Sequence, residues 1–324
     1  MSLQPHITCI GIANVDVIAA VDHDFIRAHN IESGASTPVD GHKLGYLLEI
    51  LEHPAIMPGG SSANLACGLG LQNLNVDFVG KIGGDSYGAV FKNDFARYNV
   101  TFTAPADKDR RTSTCLSFVT PDKERSFVFS TGTAGWFLKP ADLPDLPNEA
   151  SEIVCIEANT TRMPTGYPPE ESVFTAALIK YGHSHIRLII GLNDREIIAG
   201  ARPQLRDALT CPHTIIMGNL GELLALFEVH DMAIAFQKAQ ESGRVFIITN
   251  GADGVYLVGP QMLDHMPVPK ISDDEIIDTI GAGDQFAAGF IAGMVAGCDY
   301  RDAVHRGIET AARILKEQGG RPTP

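Results

Sequence analysis

Apolar residues recur in short continuous runs along this 324-residue chain, and the stretches between the runs repeat apolar positions at helical spacing. Continuous apolar runs are typical of strands that are covered on both faces, as in parallel sheets. The predicted strands are residues 6–12, 76–80, 152–157, 186–192, 213–218, 244–251 and 254–259. The predicted helices are residues 61–73, 86–98, 172–182, 220–227, 231–242, 284–297 and 301–317. This alternation predicts an α/β fold with a doubly wound, mostly parallel central sheet and helices on both faces.

Two segments, residues 13–40 and 100–135, break this alternation with shorter and more polar strands. The stretch TSTCLSFVTPDKERSFVFS (112–130) alternates apolar and polar positions around a turn at Pro121–Asp122. Such alternation predicts a small antiparallel sheet with one solvated face, and we expect it to act as a lid over the ligand edge of the main sheet. No repeat or linker divides the chain, so we expect one domain over residues 1–324 that includes this lid.

Composition narrows the class of protein and of partner. The net charge of −14, without a cluster of Lys or Arg, argues against nucleic acid. No window reaches the roughly 18 apolar residues of a membrane span. The six cysteines are scattered without a C-x-x-C pair, which is typical of a reducing cytoplasm and argues against structural zinc. We therefore expect a cytoplasmic protein with a small-molecule partner.

The stretch DTIGAGDQFAAGF (278–290) predicts a glycine loop that opens an apolar helix. The N–H groups and dipole of a helix N-terminus attract anions, and Gly281 and Gly283 would let the backbone approach one closely. Such a loop can hold a transferring phosphoryl group while Asp284 accepts the proton of an attacking hydroxyl. The competing interpretation is an ordinary helix start with an acidic first turn, and these residues alone do not exclude it.

Two common phosphate-binding motifs are absent from the sequence. No G-x-x-x-x-G-K-[ST] occurs, which excludes a P-loop, and GGDSYG (83–88) has the wrong spacing for a dinucleotide fingerprint. An NAD-dependent oxidoreductase is therefore disfavoured.

A second glycine pair, Gly59 and Gly60, precedes another predicted helix. Their backbone N–H groups would be exposed, and Asn64, one turn into the helix, could present its amide to a ligand rich in hydroxyls. The alternative is a helix capped by Ser61 or Ser62.

Asn14 and Asp16 follow the first predicted strand with one apolar residue between them. In an extended segment this spacing places both side chains on one face, as recognition of a diol requires. A plain turn is an equal alternative.

Taken together, the stretches PGGSSANLACGLGLQNLNVDFVGKIGGDSYG (58–88) and DTIGAGDQFAAGFIAGM (278–294) resemble the two signatures of the ribokinase-like (PfkB) family of carbohydrate and nucleoside kinases. They occur in the expected order and about two hundred residues apart. The resemblance implies a ribokinase-like fold with a β-sheet lid. It also implies a phosphotransferase with an alcohol acceptor that uses ATP and Mg²⁺.

The resemblance also implies roles for individual residues. Asp284 matches the catalytic base of the family. The positions that match its anion hole are Gly281, Ala282 and Gly283. The positions that match its sugar-hydroxyl ligands are Asn14, Asp16, Gly59, Gly60 and Asn64.

Further matches concern the nucleotide and cations. In GNLGELLALF (218–227), Asn219 and Glu222 resemble an N-x-x-E element that organises magnesium and phosphate through water. TNGADGVYL (249–257) resembles a turn near the nucleotide. The matching ATP-binding positions are Asn219, Thr249, Gly251 and Gly254.

Asp278 and the backbone of Ile280 match a monovalent-cation site that some members of the family use to shape the anion hole. Two features depart from the family. Gln285 replaces the small residue that usually follows the base, and the tail QGGRPTP (318–324) only loosely resembles the usual cation loop. The resemblance therefore leaves dependence on K⁺ open.

The long region before the second glycine pair, with a helix predicted at 40–52, resembles the adenosine kinase branch of the family. We therefore expect transfer to the hydroxymethyl group of an adenosine-type nucleoside, whose base needs an apolar wall. Candidates for that wall, which could equally be lid core, are Phe127, Phe129, Trp136 and Phe137. A ribose- or fructose-type sugar kinase is the alternative, and a non-catalytic nucleoside- or sugar-binding module is an alternative of another class. The lid edges would allow a monomer or a homodimer.

Overall fold

The computed structural model describes residues 5–102, 104, 106–146, 152–272 and 274–324, which form two sheets and ten α-helices, numbered in chain order. The strands of the larger sheet are β1 (His6–Ile10), β5 (Asn75–Val79), β6 (Val100–Thr101), β9 (Ile153–Glu157), β10 (Arg187–Gly191), β11 (Thr214–Asn219), β12 (Val245–Thr249), β13 (Val255–Gly259) and β14 (Met262–Met266). The strands of the smaller sheet are β2 (Asn14–Ala20), β3 (Ser36–Pro38), β4 (Ala55–Gly59), β7 (Ser113–Val119) and β8 (Arg125–Phe129). The helices are α1 (His23–Ala28), α2 (Gly41–Ile50), α3 (Ser61–Leu71), α4 (Ser86–Phe95), α5 (Val173–Tyr181), α6 (Arg195–Ala208), α7 (Leu220–Phe227), α8 (Met232–Glu241), α9 (Ala282–Val295) and α10 (Tyr300–Ile314).

The larger sheet runs in the order β14-β13-β12-β11-β10-β9-β1-β5-β6. Its strands from β12 to β6 are parallel, and β13 and β14 add an antiparallel edge. Alternate residues of each strand point into two separate cores, as on β9, where Cys155 faces one core and Ile156 the other. Helices α3, α4, α9 and α10 pack in the first core, and α5 to α8 pack in the second. The predicted doubly wound, mostly parallel α/β fold is confirmed.

The smaller sheet runs in the order β3-β8-β7-β2-β4. The predicted lid segments, 13–40 and 100–135, contain four of these strands, but β4 lies outside them, and β6 inside them belongs to the larger sheet. Positions 103 and 105 of the second segment lie outside the described residues. The expectation of an antiparallel sheet is wrong in part, because β2 pairs with β7 and β3 with β8 in parallel. Both pairs join strands that are distant along the chain, and long connections permit parallel pairing.

All seven predicted strands of the main sheet and all eight predicted helices, including the one at 40–52, are present. Helix α6 was not predicted because its sequence contains Gly200 and Pro203, which both disfavour a helix interior. It forms because Ile197, Ile198 and Leu205 bury one face of it in the second core.

Within the described ranges, no helix is long and apolar enough to cross a membrane. All six cysteines are free thiols. No group of three or more metal-ligating side chains lies together in the part of the chain that the structure describes.

Candidate active site

A cavity of about 340 Å³ lies at the carboxyl ends of β9 to β12, where α3 and α9 begin. Ligands of open α/β sheets bind at this edge, because the strand ends and helix N-termini converge there. Residues that line the cavity include Ser61, Glu157, Asn193, Asn219, Glu222, Thr249, Gly283 and Asp284. The cavity thus joins residues from both signature stretches.

Helix α9 begins at Gly281, which has a positive φ of 76° and no side-chain cap. A Cβ at Gly281 would lie 2.3 Å from the Cα of Gly320, so only glycine fits there. A Cβ at Gly283 would meet nothing within 4 Å, because Gly283 faces the open cavity. Ala282 lies between them in the first turn. The start of α9 is therefore open to an anion on the cavity side.

Asp284 lies in the first turn of α9 and turns its carboxylate toward α3. Its Oδ1 accepts a hydrogen bond from Ser61 Oγ at 2.5 Å, and its Oδ2 accepts one from Asn64 Nδ2 at 2.9 Å. Burial raises the pKa of Asp284, while the two hydrogen bonds and the charge of Arg321 oppose that rise. A carboxylate held this way can receive a proton from a hydroxyl that enters the cavity.

Glu157, at the end of β9, adds a second buried carboxylate near Asp284. Its Oε1 accepts a hydrogen bond from the backbone N–H of Ile12 at 2.6 Å. Burial raises the pKa of Glu157 to about 7, and the nearby charge of Asp284 adds to the rise. The sequence did not predict Glu157 as a site residue, because β9 is far from β1 along the chain and lies beside it only in the folded sheet.

The structure brings the predicted sugar-binding residues together. Asn14 Nδ2 donates to Asp16 Oδ1 at 2.7 Å, and β4 pairs Gly59 directly with Asn14. A Cβ at Gly59 would lie 2.3 Å from Asp16 Oδ2, and Gly60 has a positive φ of 93° with no room above Ile12 O. Both glycines are therefore required by this close approach.

Burial raises the pKa of Asp16 to about 6. Arg321 and the hydrogen bond from Asn14 lower it, and the charge of Asp284 raises it further. The carboxylates of Asp16 and Asp284 are thus close enough to interact, and each can accept hydrogen bonds from hydroxyl groups.

Asn219 and Glu222 cap α7 reciprocally. Asn219 Oδ1 accepts from Glu222 N at 3.0 Å, and Glu222 Oε2 accepts from Asn219 N at 2.9 Å. Asn219 Nδ2 also donates to Glu222 Oε1 at 2.7 Å. Burial raises the pKa of Glu222, and the hydrogen bonds from Asn219 oppose this. Because both carboxylate oxygens already accept a hydrogen bond, Glu222 fits a magnesium ion held through water better than one held directly.

Asn193, which follows β10, is a further polar residue that the sequence reading missed. Its Nδ2 donates to Ser61 Oγ at 2.6 Å, and Ser61 in turn donates to Asp284. Asn193 Oδ1 is buried at the cavity without a protein partner. A buried oxygen of this kind fits water or a hydrated cation, such as the magnesium that the resemblance implies.

Of the three remaining predicted nucleotide residues, the structure places one at the cavity. Thr249 lines it, at the end of β12, and donates weakly to Gly218 O at 3.4 Å. Gly251 and Gly254 form the turn between β12 and β13, with φ of 55° and 106°. The turn lies beside the cavity without lining it.

The predicted cation site at Asp278 and Ile280 already has protein partners. Asp278 Oδ1 accepts from the N–H of Ile280 at 3.1 Å, and Oδ2 accepts from the N–H of Gly319 at 3.2 Å. Arg125 of β8 lies 3.8 Å from Asp278 Oδ1. The carboxylate thus ties the loop before α9 to the tail and to the smaller sheet.

Gln285, which departs from the family pattern, is fully buried. Its Nε2 donates to Asn64 O at 2.9 Å and to Gly320 O at 3.0 Å. Gly68 leaves room for it, because any Cβ there would collide with Gln285 Oε1. Gln285 therefore ties α9 to α3 and to the C-terminal tail.

Comparison with known proteins gives one family for nearly the whole chain. The model of the pfkB family carbohydrate kinases matches residues 4–324. Fructokinase of Klebsiella pneumoniae is 29% identical over 74% of this chain and 77% of that protein. Adenosine kinase of Saccharomyces cerevisiae is 25% identical over 96% of this chain and 94% of that protein. The crystal structure of adenosine kinase from Sinorhizobium meliloti superposes with a TM-score of 0.84 at 24% identity, covering 99% of this chain and 97% of that one.

Proposed function

This chain belongs to the pfkB family of carbohydrate kinases, and from that premise we propose that it transfers the γ-phosphate of ATP to the hydroxymethyl group of an adenosine-type nucleoside. Family membership makes it a phosphotransferase that acts on a sugar or nucleoside hydroxyl. The observation that carries the proposed chemistry is the position of Asp284, which lies beside the uncapped, glycine-lined start of α9 and faces α3.

In the proposed reaction, Asp284 is the base and the backbone of Gly281, Ala282 and Gly283 is the anion hole. Phosphoryl transfer has a loose transition state, so positioning and charge stabilisation matter more than base strength. Asp284 then needs only to receive the acceptor proton late, and the N–H groups of α9 neutralise the charge that develops on the phosphoryl oxygens. Magnesium bound with ATP would neutralise the phosphate oxygens, and Asn219 and Glu222 would hold its water shell.

The acceptor would lie beside the polar residues of β2 and of the first turn of α3. Asn14, Asp16 and Asn64 would present amide and carboxylate groups to its hydroxyls, and Gly59 and Gly60 let the backbone pass close to Asp16 and Ile12. This arrangement suits the ribose of a nucleoside and also a free sugar.

The smaller sheet supports a nucleoside. Asp16, Cys115 and Phe129 are direct partners on β2, β7 and β8, so their side chains share one face of the sheet. Phe129 is two strands from Asp16, or about 10 Å away. If the ribose of a nucleoside contacts Asp16, its nucleobase could therefore pack against this half-buried aromatic ring. Phe127 is on the same face, next along β8.

The other two aromatic candidates have different surroundings. Trp136 packs against the second core, and the Phe137 ring is covered by the guanidinium of Arg110 at 3.6 Å. We therefore assign the base wall to Phe127 and Phe129 alone.

The relatives allow two acceptor classes. The match to yeast adenosine kinase spans 96% of this chain, whereas the match to fructokinase spans 74%. The longer match favours a nucleoside, and the higher identity of the fructokinase keeps a sugar kinase of the ribokinase or fructokinase type as the second candidate.

An ADP-release assay with ATP and Mg²⁺ over adenosine, other nucleosides, ribose, fructose and fructose phosphates tests the proposal. We expect adenosine or a related nucleoside to give the highest kcat/KM. A sugar with a much higher kcat/KM than every nucleoside would replace the nucleoside by the second candidate. No transfer to any acceptor, with clear thermal stabilisation by a nucleoside or sugar, would instead indicate a non-catalytic binding module.

A further inference from the structure

The C-terminal tail carries a buried positive charge to the back of the site. Arg321 is 8% exposed, and among the residues that the structure describes it is the one buried Lys or Arg. Its Nε donates to Asn64 Oδ1 at 3.2 Å, its Nη1 to Asp94 Oδ2 at 2.6 Å and its Nη2 to Gly59 O at 3.1 Å. The guanidinium therefore binds α3, α4 and the end of β4 at the same time.

The contact with Asn64 determines which way its amide faces. Arginine is a donor only, so the Asn64 atom that faces Arg321 must be the oxygen. The Nδ2 of Asn64 then faces Asp284 and donates to it at 2.9 Å. Without Arg321, the amide could rotate and place an oxygen against the carboxylate, which would repel it.

The surroundings of Arg321 strengthen the effect of its charge on Asp284. The rings of Phe91 and Phe95 lie 5.0 Å and 5.1 Å from the guanidinium carbon and keep water away from it. A buried charge is screened less than an exposed one.

Charged groups from several elements face Asp284. The carboxylates that interact with it are Asp16 on β2 and Glu157 on β9, and Asp278 in the loop before α9 interacts with Asp16. Arg125 lies against Asp278, and Asp94 lies against Arg321. Arg321 lowers the pKa of both Asp16 and Asp284. It is thus the cation that offsets this acidic cluster.

We propose that Arg321 is a positioning residue for phosphoryl transfer, because its guanidinium holds the Asn64 amide so that Nδ2 donates to the Asp284 carboxylate. This inference rests on the proposed function of Asp284 as base. It assigns the tail a kinetic role, whereas the contacts alone would also suit a purely structural anchor.

The test compares pH profiles of kcat/KM for Arg321→Met, Arg321→Lys and Arg97→Met, with the acceptor that the wild-type enzyme prefers. In Arg321→Met we expect the acid limb to move up by about one pH unit, because Asp284 loses the charge of Arg321. On the plateau above the limb, kcat/KM should fall about tenfold, because the Asn64 amide is no longer held toward Asp284. Arg321→Lys keeps the charge but not the three-way fork, so the limb should stay in place while KM for the acceptor rises severalfold.

Arg97 provides the matched control. It also binds Asp94, at 3.0 Å, but its side chain is largely exposed and does not contact Asn64 or Gly59. Arg97→Met should leave the profile unchanged. A folded Arg321→Met protein with a wild-type acid limb would overturn the proposal.

Asp94→Asn carries the test if Arg321→Met does not fold. It leaves Arg321 in place and removes the carboxylate that partly neutralises it, so the acid limb should move slightly to lower pH. A limb that stays fixed or moves up would contradict the proposed role.

A second measurement tests the role of Arg321 independently of the proposed kinase activity. If the wild-type protein transfers phosphate to no acceptor, thermal unfolding of the ligand-free protein still tests Arg321. Removal of the cation raises the folded-state pKa of Asp16 and Asp284 further above their unfolded values. The free energy of unfolding of Arg321→Met should then fall more as pH rises from the unfolded to the folded pKa values of these two groups. Between pH 5 and 8, Arg321→Met should lose more stability than Arg97→Met, and equal slopes would overturn the proposal.

Discussion

Helices α3 and α9 begin differently from the other helices of this molecule. Among the ten α-helices in the described residues, these two begin at Gly60 and Gly281 without a side-chain cap. The other eight each have a side chain that accepts a hydrogen bond from the first turn. Those caps are Asp22, Asp40, Asp85, Ser172, Asp194, Asn219, Asp231 and Asp299. The two uncapped helices are those that meet at Asp284.

The difference separates helix starts that stabilise the fold from helix starts available to a ligand. A cap satisfies backbone N–H groups and contributes about 1 kcal/mol. At α9 the only first-turn acid, Asp284, turns its carboxylate to Ser61 and Asn64 of α3 instead of capping its own helix. The start of α9 thus has no side-chain cap, at some loss of stability in the ligand-free protein, and in the proposed reaction its N–H groups would bind a phosphoryl group.

The largest effect is expected from Asp284→Asn. Asparagine keeps the size of the side chain but cannot take a proton, so turnover should fall at least about a hundredfold while ATP affinity changes by no more than a few fold. Steady-state kinetics and nucleotide titration measure the two quantities. Asp302 occupies the equivalent first-turn position of the capped helix α10, and Asp302→Asn should leave turnover unchanged. Near-wild-type turnover of Asp284→Asn would rule out its role as base.

Gly283→Ala tests whether the open side of α9 is where the phosphoryl group binds. A Cβ fits there without a contact in the ligand-free protein, so we expect the fold to remain intact and the helix to gain up to about 1 kcal/mol. The methyl group would occupy the approach to the helix N–H groups, and turnover should fall about tenfold. Gly41, in the first turn of the capped helix α2, also has open space around a Cβ. Gly41→Ala should stabilise without slowing turnover, and equal kinetics of both variants would contradict the anion-hole assignment.

The sequence predicts most of the fold because buried parallel strands and amphipathic helices leave strong local patterns. Strand β4 was missed because it contains Pro58 and lies at the edge of its sheet, where proline is tolerated. Residues on the signature stretches, such as Asp284 and Asn64, were identified because local spacing carries them, and the structure brings them into contact.

Three contributors to the site could not be found in this way. Glu157 and Asn193 reach it because β10, β9 and β1 are neighbours, and this strand order is a property of the whole chain. Arg321 reaches it because the tail folds back under α3. Long-range packing, which a local pattern does not encode, decides all three positions.

The pH dependence of stability should have opposite signs for an exposed helix cap and for the buried carboxylates of the site. Backbone hydrogen bonds lower the pKa of the cap Asp40, so its contribution is present above the unfolded pKa and lost as pH falls. Burial raises the pKa of Asp16 to about 6 and of Glu157 to about 7, so their contribution is present at low pH and lost as pH rises.

We therefore expect the unfolding midpoint of the ligand-free protein to fall by several degrees between pH 5 and pH 7.5. Differential scanning calorimetry of the wild type and of Glu157→Gln measures this, and the variant should show a shallower fall. Glu241→Gln, at an exposed position, is the control and should follow the wild type. A midpoint that rises over this interval would show that the site carboxylates do not control stability there.

The smallest effect concerns Asn219, a cap that also lines the cavity. Asn219→Ala and Asp231→Ala each remove one cap, from α7 and α8, and each should cost about 1 kcal/mol, or a few degrees in the unfolding midpoint. Only Asn219→Ala should also raise the Mg²⁺ concentration for half-maximal turnover severalfold, because it removes the Nδ2 group that donates to Glu222 Oε1. If the two variants show the same Mg²⁺ dependence, capping is the whole role of Asn219. The distinction between capped and ligand-binding helix starts would then hold without exception.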